Sequence, residues 1–283
     1  MADIRKIRRR MRGIKSIAKI TRAMEMIAAS KMRRAQERDL DGRPYSEKIQ
    51  QVIANLAALP EMQSHSLLQH RAVNKIAVVH ITPDRGLCGG LNTGINRLTA
   101  NFILEQSVPV NLIAVGRKGR DFMFRGRRDI RAEFTQLSDR LDFIDTLPIS
   151  RIIIDDYSAG DIDMVYLAYA KFISTMLQTP TLQQLLPVEP AIIPGTQNVD
   201  YIYEPGPDVV LSQLLPRYVE MQVYHAILES VASEQSARMV AMRNATDNAS
   251  ELIGDLTLLY NKARQESITK ELLDIVGGVA ALT

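Results

Sequence analysis

The chain contains no tryptophan, one cysteine and four histidines in 283 residues. A single cysteine, Cys88, excludes a disulfide scaffold, a multi-cysteine zinc site and an intramolecular dithiol switch. The histidines, His65, His70, His80 and His225, show neither H-x-x-x-H nor HExxH spacing. With aromatics at 5%, a base-stacking surface has too few rings to draw on. No apolar run reaches about 18 residues, so a membrane-spanning helix is not expected. The basic opening MADIRKIRRRMRGIK has no apolar block behind it and does not read as a secretory signal. Proline is missing from residues 3–43 and again from 217–283. What remains, 46% apolar and 24% charged residues at a mean hydropathy of −0.07, is ordinary globular composition, enough for one large core or two small ones.

The net charge of +3 hides a split. Residues 1–38 hold 13 Lys/Arg and 3 Asp/Glu, and the rest of the chain holds 22 and 29. Positive charge this dense on one short element repels itself unless something acidic lies opposite. Nucleic acid, an acidic lipid surface and an acidic protein surface all satisfy that condition.

The proline-free ends carry helical periodicity. Ile4, Ile7, Met11, Ile14, Ala18, Thr21, Ala28, Met32 and Ala35 recur in steps of three and four, with Glu25 as the one charged break in a heptad stripe. Pro44 marks a kink or break, and Tyr45–Leu59 is helical again before Pro60. A second stripe runs through Tyr218, Met221, His225, Leu228, Ala232, Gln235, Met239, Met242, Thr246, Ala249, Ile253, Leu256, Tyr260 and Ala263. The spacing predicts a coiled coil rather than a globular helix. A helix over 217–283 spans on the order of 100 Å, too long for a domain of about 130 residues to cover. Its apolar last turns, Ile268, Leu272, Leu273, Ile275, Val276, Val279 and Leu282, need a second chain around them or must fold back on the middle of their own chain.

The middle reads differently. Lys75–Thr82 and Val108–Val115 are short β-branched runs that suit buried strands. Leu91–Glu105 between them has helical spacing, giving a strand–helix–strand unit. Asp163–Thr175 and Val199–Tyr203 are further strand candidates, and Arg151–Tyr157 is ambiguous between strand and helix. Pro180, Pro187, Pro190, Pro194, Pro205 and Pro207 mark connecting loops. The expected fold class is α/β: an antiparallel coiled coil of long terminal helices with a small Rossmann-like domain. The expected domains are 1–59, 74–207 and 208–283.

Few residues offer chemistry. DRGLCGGLN (84–92) lacks the G-K-[ST] of a P-loop, and Gly86, Gly89 and Gly90 do not form GxGxxG, so they read as glycines of a tight strand-to-helix turn. Cys88 has no neighbouring His or acid to activate it. Asp155–Asp156 and Asp161–Asp163 read as solvated carboxylates rather than a metal pair. A nucleotide-dependent catalyst in 74–207 and a basic coiled-coil nucleic-acid binder remain the rival readings.

Five segments resemble the gamma subunit of F-type ATP synthase in order and spacing: KSIAKITRAMEMIAASKMRRAQ (15–36), DRGLCGGLN, FISTMLQTPTLQQLLP (172–187), SEQSARMVAMRNATDN (233–248) and LYNKARQESITKELLDIVGG (259–278). The last carries the family's I-T-x-E and later acidic and glycine positions at Ile268, Thr269, Glu271, Asp274 and Gly278, with Val279 where alanine is usual. The chain is similar to the bacterial members and lacks the chloroplast regulatory insert. The resemblance implies a rotor shaft without an active site, metal or cofactor. It implies three alpha and three beta subunits, an epsilon subunit and a membrane c-ring as partners, and a peripheral place on the cytoplasmic face of the cell membrane. It implies subunit contacts at Met24, Arg238, Arg243, Gln265, Thr269 and Glu271. The stretch Val231–Ser250, rich in small residues, would then turn in its sleeve without a deep knob to lock it.

Overall fold

The structure is a computed structural model and describes residues 2–57, 65–137, 141–189 and 203–280. It contains α1 (Ala2–Ala57), β1 (Ile76–Ile81), α2 (Leu91–Glu105), β2 (Val110–Val115), α3 (Arg117–Arg125), β3 (Ile130–Phe134), α4 (Phe143–Ala159), β4 (Met164–Phe172), β5 (Gln178–Leu186) and α5 (Pro207–Ala280). The chain divides into two compact units, residues 1–28 with 238–283, and residues 29–237.

The larger unit is built on a five-stranded sheet of order β3-β2-β1-β4-β5. Strands β3, β2, β1 and β4 are parallel, and β5 returns antiparallel on β4. The alternation of a strand sends Ala77, Val79 and Ile81 to one face. There they meet Ile149, Ile153 and Tyr157 of α4, Ile49, Ile53 and Leu56 of α1, and the 211–228 stretch of α5 in one continuous core. Ile76 and Val78 go to the other face, with Ile103 of α2 and Met123 of α3. With both faces covered, every residue of β1 is buried, which is why the strand reads as an unbroken apolar run.

One polar side chain interrupts that run. His80 is fully buried; its Nε2 lies 2.9 Å from Asn96 Oδ1 and its Nδ1 2.9 Å from Thr99 Oγ1, both on α2. The neutral ring with its proton on Nε2 donates to the amide oxygen and accepts from the hydroxyl. Burial pushes the imidazole pKa down to about 4, against the opposing pull of the Asn96 hydrogen bond.

Several sequence expectations are refined here. The Arg151–Tyr157 segment is helical, inside α4. Its helix signals lie outside the seven-residue window: a capping box between Asp142 and Asp145, and Gly160 in the left-handed conformation at the C-terminus. The chain stays helical through Pro44. One lost backbone bond is outweighed by the deep burial of Ile49, Ile53 and Leu56 in the turns that follow. Pro180 is not in a loop: it sits in β5, paired with Ala170, and an edge strand tolerates a missing donor. Pro207 opens α5, where its missing N–H costs nothing. Asp163 is buried rather than solvated, and its Oδ2 accepts the backbone N–H groups of Asn74 (2.8 Å) and Lys75 (3.1 Å) at the entry to β1. Asp156 pairs with Arg131, and no metal-holding cluster occurs among the described residues. Pro190, Pro194, Leu59, Pro60, Leu282 and most of Val199–Tyr203 lie outside the described residues; Tyr203 itself is not in a strand.

Candidate subunit interface

In the smaller unit α1 and α5 run antiparallel. Thr21 Oγ1 lies 2.7 Å from Thr246 Oγ1, Arg243 Nε donates to Glu25 Oε1 at 2.9 Å, and the Thr257 hydroxyl reaches Met11 Sδ at 3.7 Å. The heptad stripe of α1 forms the seam: Ile4, Ile7, Met11, Ile14 and Ala18 are half-buried, and Thr21 and Ala28 are buried. Glu25, the charged break, is the residue that Arg243 neutralises across the seam. On α5, Met242, Ala249 and Leu256 are buried opposite this stripe.

The outer faces of this unit are unusual. All nine Lys and Arg side chains from Arg5 to Arg22 are exposed. Beside them runs a second apolar series, Ile17, Ile20, Met24 and Ile27, one position behind the seam stripe at each step. The three isoleucines are exposed and Met24 is half-buried. Along the observed register Ala2 falls opposite the stretch around Gln265, so α5 continues past the end of α1. From Ile268 to Val276 every residue is exposed, including Ile268, Leu272, Leu273, Ile275 and Val276. Apolar residues bared in series, rather than singly, mark a surface that another molecule covers.

The residues singled out from the sequence are distributed along this unit rather than gathered. Arg243 is exposed but tied to Glu25; Gln265 and Thr269 are exposed; Glu271 is exposed and accepts from the Ser267 hydroxyl at 3.4 Å. Arg238 is buried and engaged within the chain, not offered to a surface. Val279 lies in α5, its side chain outside those described.

The small-residue stretch Val231–Ser250 has a different use in its first part. Residues 231–237 belong to the larger unit and are buried or half-buried there. The Ser233 hydroxyl donates to the Ala170 carbonyl at 2.9 Å and the Ser236 hydroxyl to the Thr175 carbonyl at 2.8 Å. Small side chains let α5 approach the β4–β5 hairpin closely enough for these bonds. The hairpin tip so anchored exposes Ile173, Met176 and Leu177.

The DRGLCGGLN loop belongs to the same unit. Gly89 has φ +59°, a left-handed value that glycine adopts freely; Gly90 precedes α2 at φ −85°, and a Cβ on Gly86 would meet only the end of Lys118. The residue in strain is Leu87, at φ +64° and 64% exposed. Cys88 beneath it is buried and accepts from Asn92 Nδ2 at 3.3 Å. Asp84 ties the loop's base: Oδ1 accepts Arg117 N–H at 2.8 Å and Oδ2 accepts Gln136 N–H at 2.9 Å. In a nucleotide-binding sheet of this kind, helix N-termini at the strand ends hold phosphate. Here the start of α3 is filled by the Asp84 carboxylate, and Leu91 N–H at the start of α2 turns back to Cys88 O.

Sequence reasoning missed Ile17, Ile20 and Ile27, although the offset heptad was readable. It also missed Leu87 and the hairpin tip, whose exposure depends on backbone conformation that no local pattern announces.

The comparisons with known proteins agree with this arrangement. A family model described as ATP synthase matches residues 3–282. An ATP synthase gamma chain of Dehalococcoides mccartyi is 66% identical over 284 residues, covering 100% of both chains. One of Roseiflexus castenholzii is 49% identical over 287 residues, covering 100% of this chain and 99% of the relative. A chain in the central stalk/c-ring structure of the Tetrahymena thermophila mitochondrial ATP synthase is 28% identical with a TM-score of 0.63, over 80% of this chain and 99% of that one. A chain of the Euglena gracilis mitochondrial ATP synthase, 19% identical, shares the fold at a TM-score of 0.67 over 99% and 95%. A heptad-paired helix unit, a five-stranded sheet of this order and full-length identity of this degree lead to one conclusion: the chain belongs to the ATP synthase family, among its gamma chains.

Proposed function

We propose that the chain is the central rotor shaft of an F-type ATP synthase and carries no active site of its own. The observation that carries this reading is the outer surface of the two-helix unit: an apolar series on α1 set among exposed cations, and a stretch of α5 that has outrun its partner helix. Such a surface needs an enclosing sleeve that is apolar in places and acidic in others. Three alpha and three beta subunits would form it, while an epsilon subunit and the c-ring would engage the α/β part, expected over 74–207. The complex would hold the chain peripherally at the cytoplasmic face of the membrane; no helix among the described residues is long and apolar enough to cross it.

The mechanism follows from differential contact. A shaft moves a catalytic site between states only if it touches those states unequally. Two helices of unequal exposed character, one basic with an apolar series and one mixed, make the cross-section asymmetric. As ion flow turns the c-ring, each beta subunit meets a different face in turn. That Asp84 takes the first N–H of α3, and Cys88 O that of α2, supports a mechanical rather than nucleotide-binding role for the sheet.

Two experiments test this. The tagged chain should co-purify with stoichiometric alpha, beta and epsilon subunits; isolation alone, at native expression, would overturn the reading. Met24→Lys adds a charge within the exposed α1 series and should lower the ATP made per ion translocated more than it lowers ATP hydrolysis. Unchanged coupling at normal assembly would remove Met24 from the interface.

A further inference from the structure

Residues 117–131, RKGRDFMFRGRRDIR, hold seven basic and two acidic side chains in 15 positions. Two of the arginines are committed within the fold: Arg120 to Asp121 and Glu133, and Arg131 to Asp156. Arg117, Lys118, Arg125 and Arg127 are exposed and have no ion-pair partner among the described residues. Among these cations stand two phenylalanines of α3, Phe124 at 75% exposure and Phe122 at 38%. Met123 between them is the one that enters the core. An aromatic ring left bare amid unpaired arginines is the composition of an interface centre, not of a solvated face.

The backbone beyond α3 is shaped to hold this display. Gly126 N–H returns to Phe122 O, Arg127 N–H to Phe124 O and Arg128 N–H to Met123 O, closing the helix tightly. Arg127 adopts φ +51°, a left-handed value that costs a residue with a Cβ about 1 kcal/mol. Glycine would adopt it freely, so the guanidinium is kept at a conformational expense.

We propose that this end of the sheet, from α3 through the Gly126–Arg128 turn, docks a neighbouring protein subunit whose face carries carboxylates around an apolar recess. This rests on the reading of the chain as part of a multisubunit assembly and assigns a surface that reading does not. Charge selects an acidic partner. Geometry selects a concave one: Phe122 and Phe124 are two positions apart, so their rings point roughly 160° apart around the helix, on either side of Met123. A flat lipid surface can take up one ring but not both, whereas a recessed protein face can grip both while its carboxylates meet the fixed arginines.

The test uses the assembled complex. A benzoylphenylalanine replaces Phe124, which is exposed enough to leave folding untouched, and the purified complex is irradiated. The proposal expects a cross-link to one neighbouring subunit within an Asp/Glu-rich segment, with yield falling about tenfold in R125E/R127E/R128E. R127G serves as the second variant, since it relieves the left-handed residue while deleting its charge; it should also lower the yield. A complex that assembles but cross-links position 124 only to lipid, to nucleic acid or to nothing overturns this proposal and leaves the rotor reading standing. Failure of any subunit to co-purify overturns both.

Discussion

At the residue scale, two side chains carry the clearest consequences. His80 is neutral because the core offers no water to a charge. Its pKa is about 4 in the fold and about 6.5 in the unfolded chain. Between these values the unfolded chain binds more protons. The stabilisation is therefore complete above about pH 6.5 and is lost as pH falls toward 4, by up to roughly 3 kcal/mol. Denaturant midpoints measured from pH 7 to pH 4 should fall, and His80→Gln should flatten that fall. Leu87 is the second. It combines left-handed backbone with an exposed apolar side chain, held between the Asp84 hydrogen bonds and buried Cys88. Strain kept at a bare surface points to use there. Leu87→Gly relieves the strain but loosens the unfolded chain, so stability should change by less than about 1 kcal/mol. Coupling in the assembled complex should nevertheless drop; equal coupling would assign the loop to folding alone.

At the element scale, the helices were legible where their period was long and the strands where both faces are covered. α2 matched its expected span at both ends, because a 15-residue amphipathic pattern lies between clear turn residues. β1, β2 and β4 came out trimmed at their ends. The apolar centre of α4 suits strand and helix alike, and its caps at Asp142 and Gly160 decide the matter. α3, β3 and β5 went unread: α3 is short and dominated by arginine, β3 alternates weakly at an edge, and β5 contains Pro180. Across the two-helix seam, the Arg243–Glu25 pair looks structural, yet Arg243 is 60% exposed. Solvent screens such a pair to less than about 1 kcal/mol. Arg243→Gln should therefore shift the thermal midpoint only slightly, while any loss of coupling beyond that would report a contact outside the chain.

At the scale of the whole molecule, the charge split and the bare end of α5 were both visible in the sequence, and the structure ties them to one unit. The exposed cations lie on α1, and the apolar series from Ile268 to Val276 lies where α5 has no partner. Truncation from Glu271 removes the exposed residues 271–276 together with those that follow. The shortened chain should keep its far-ultraviolet circular dichroism per residue and its main unfolding transition, but weaken coupling or assembly. Loss of the main transition would place those turns in the fold's own core instead. The candidate interface was less legible than the fold. Periodicity identifies which residues face a partner helix, but says little about which of the remaining faces is left bare.

The carboxylate of Asp84 has one last implication. In nucleotide-binding sheets of this general kind, phosphate is held by the helix N-termini beside the strand ends. Here Asp84 takes the first N–H of α3 and Cys88 O that of α2, so an incoming anion would have to displace a bond the fold already makes.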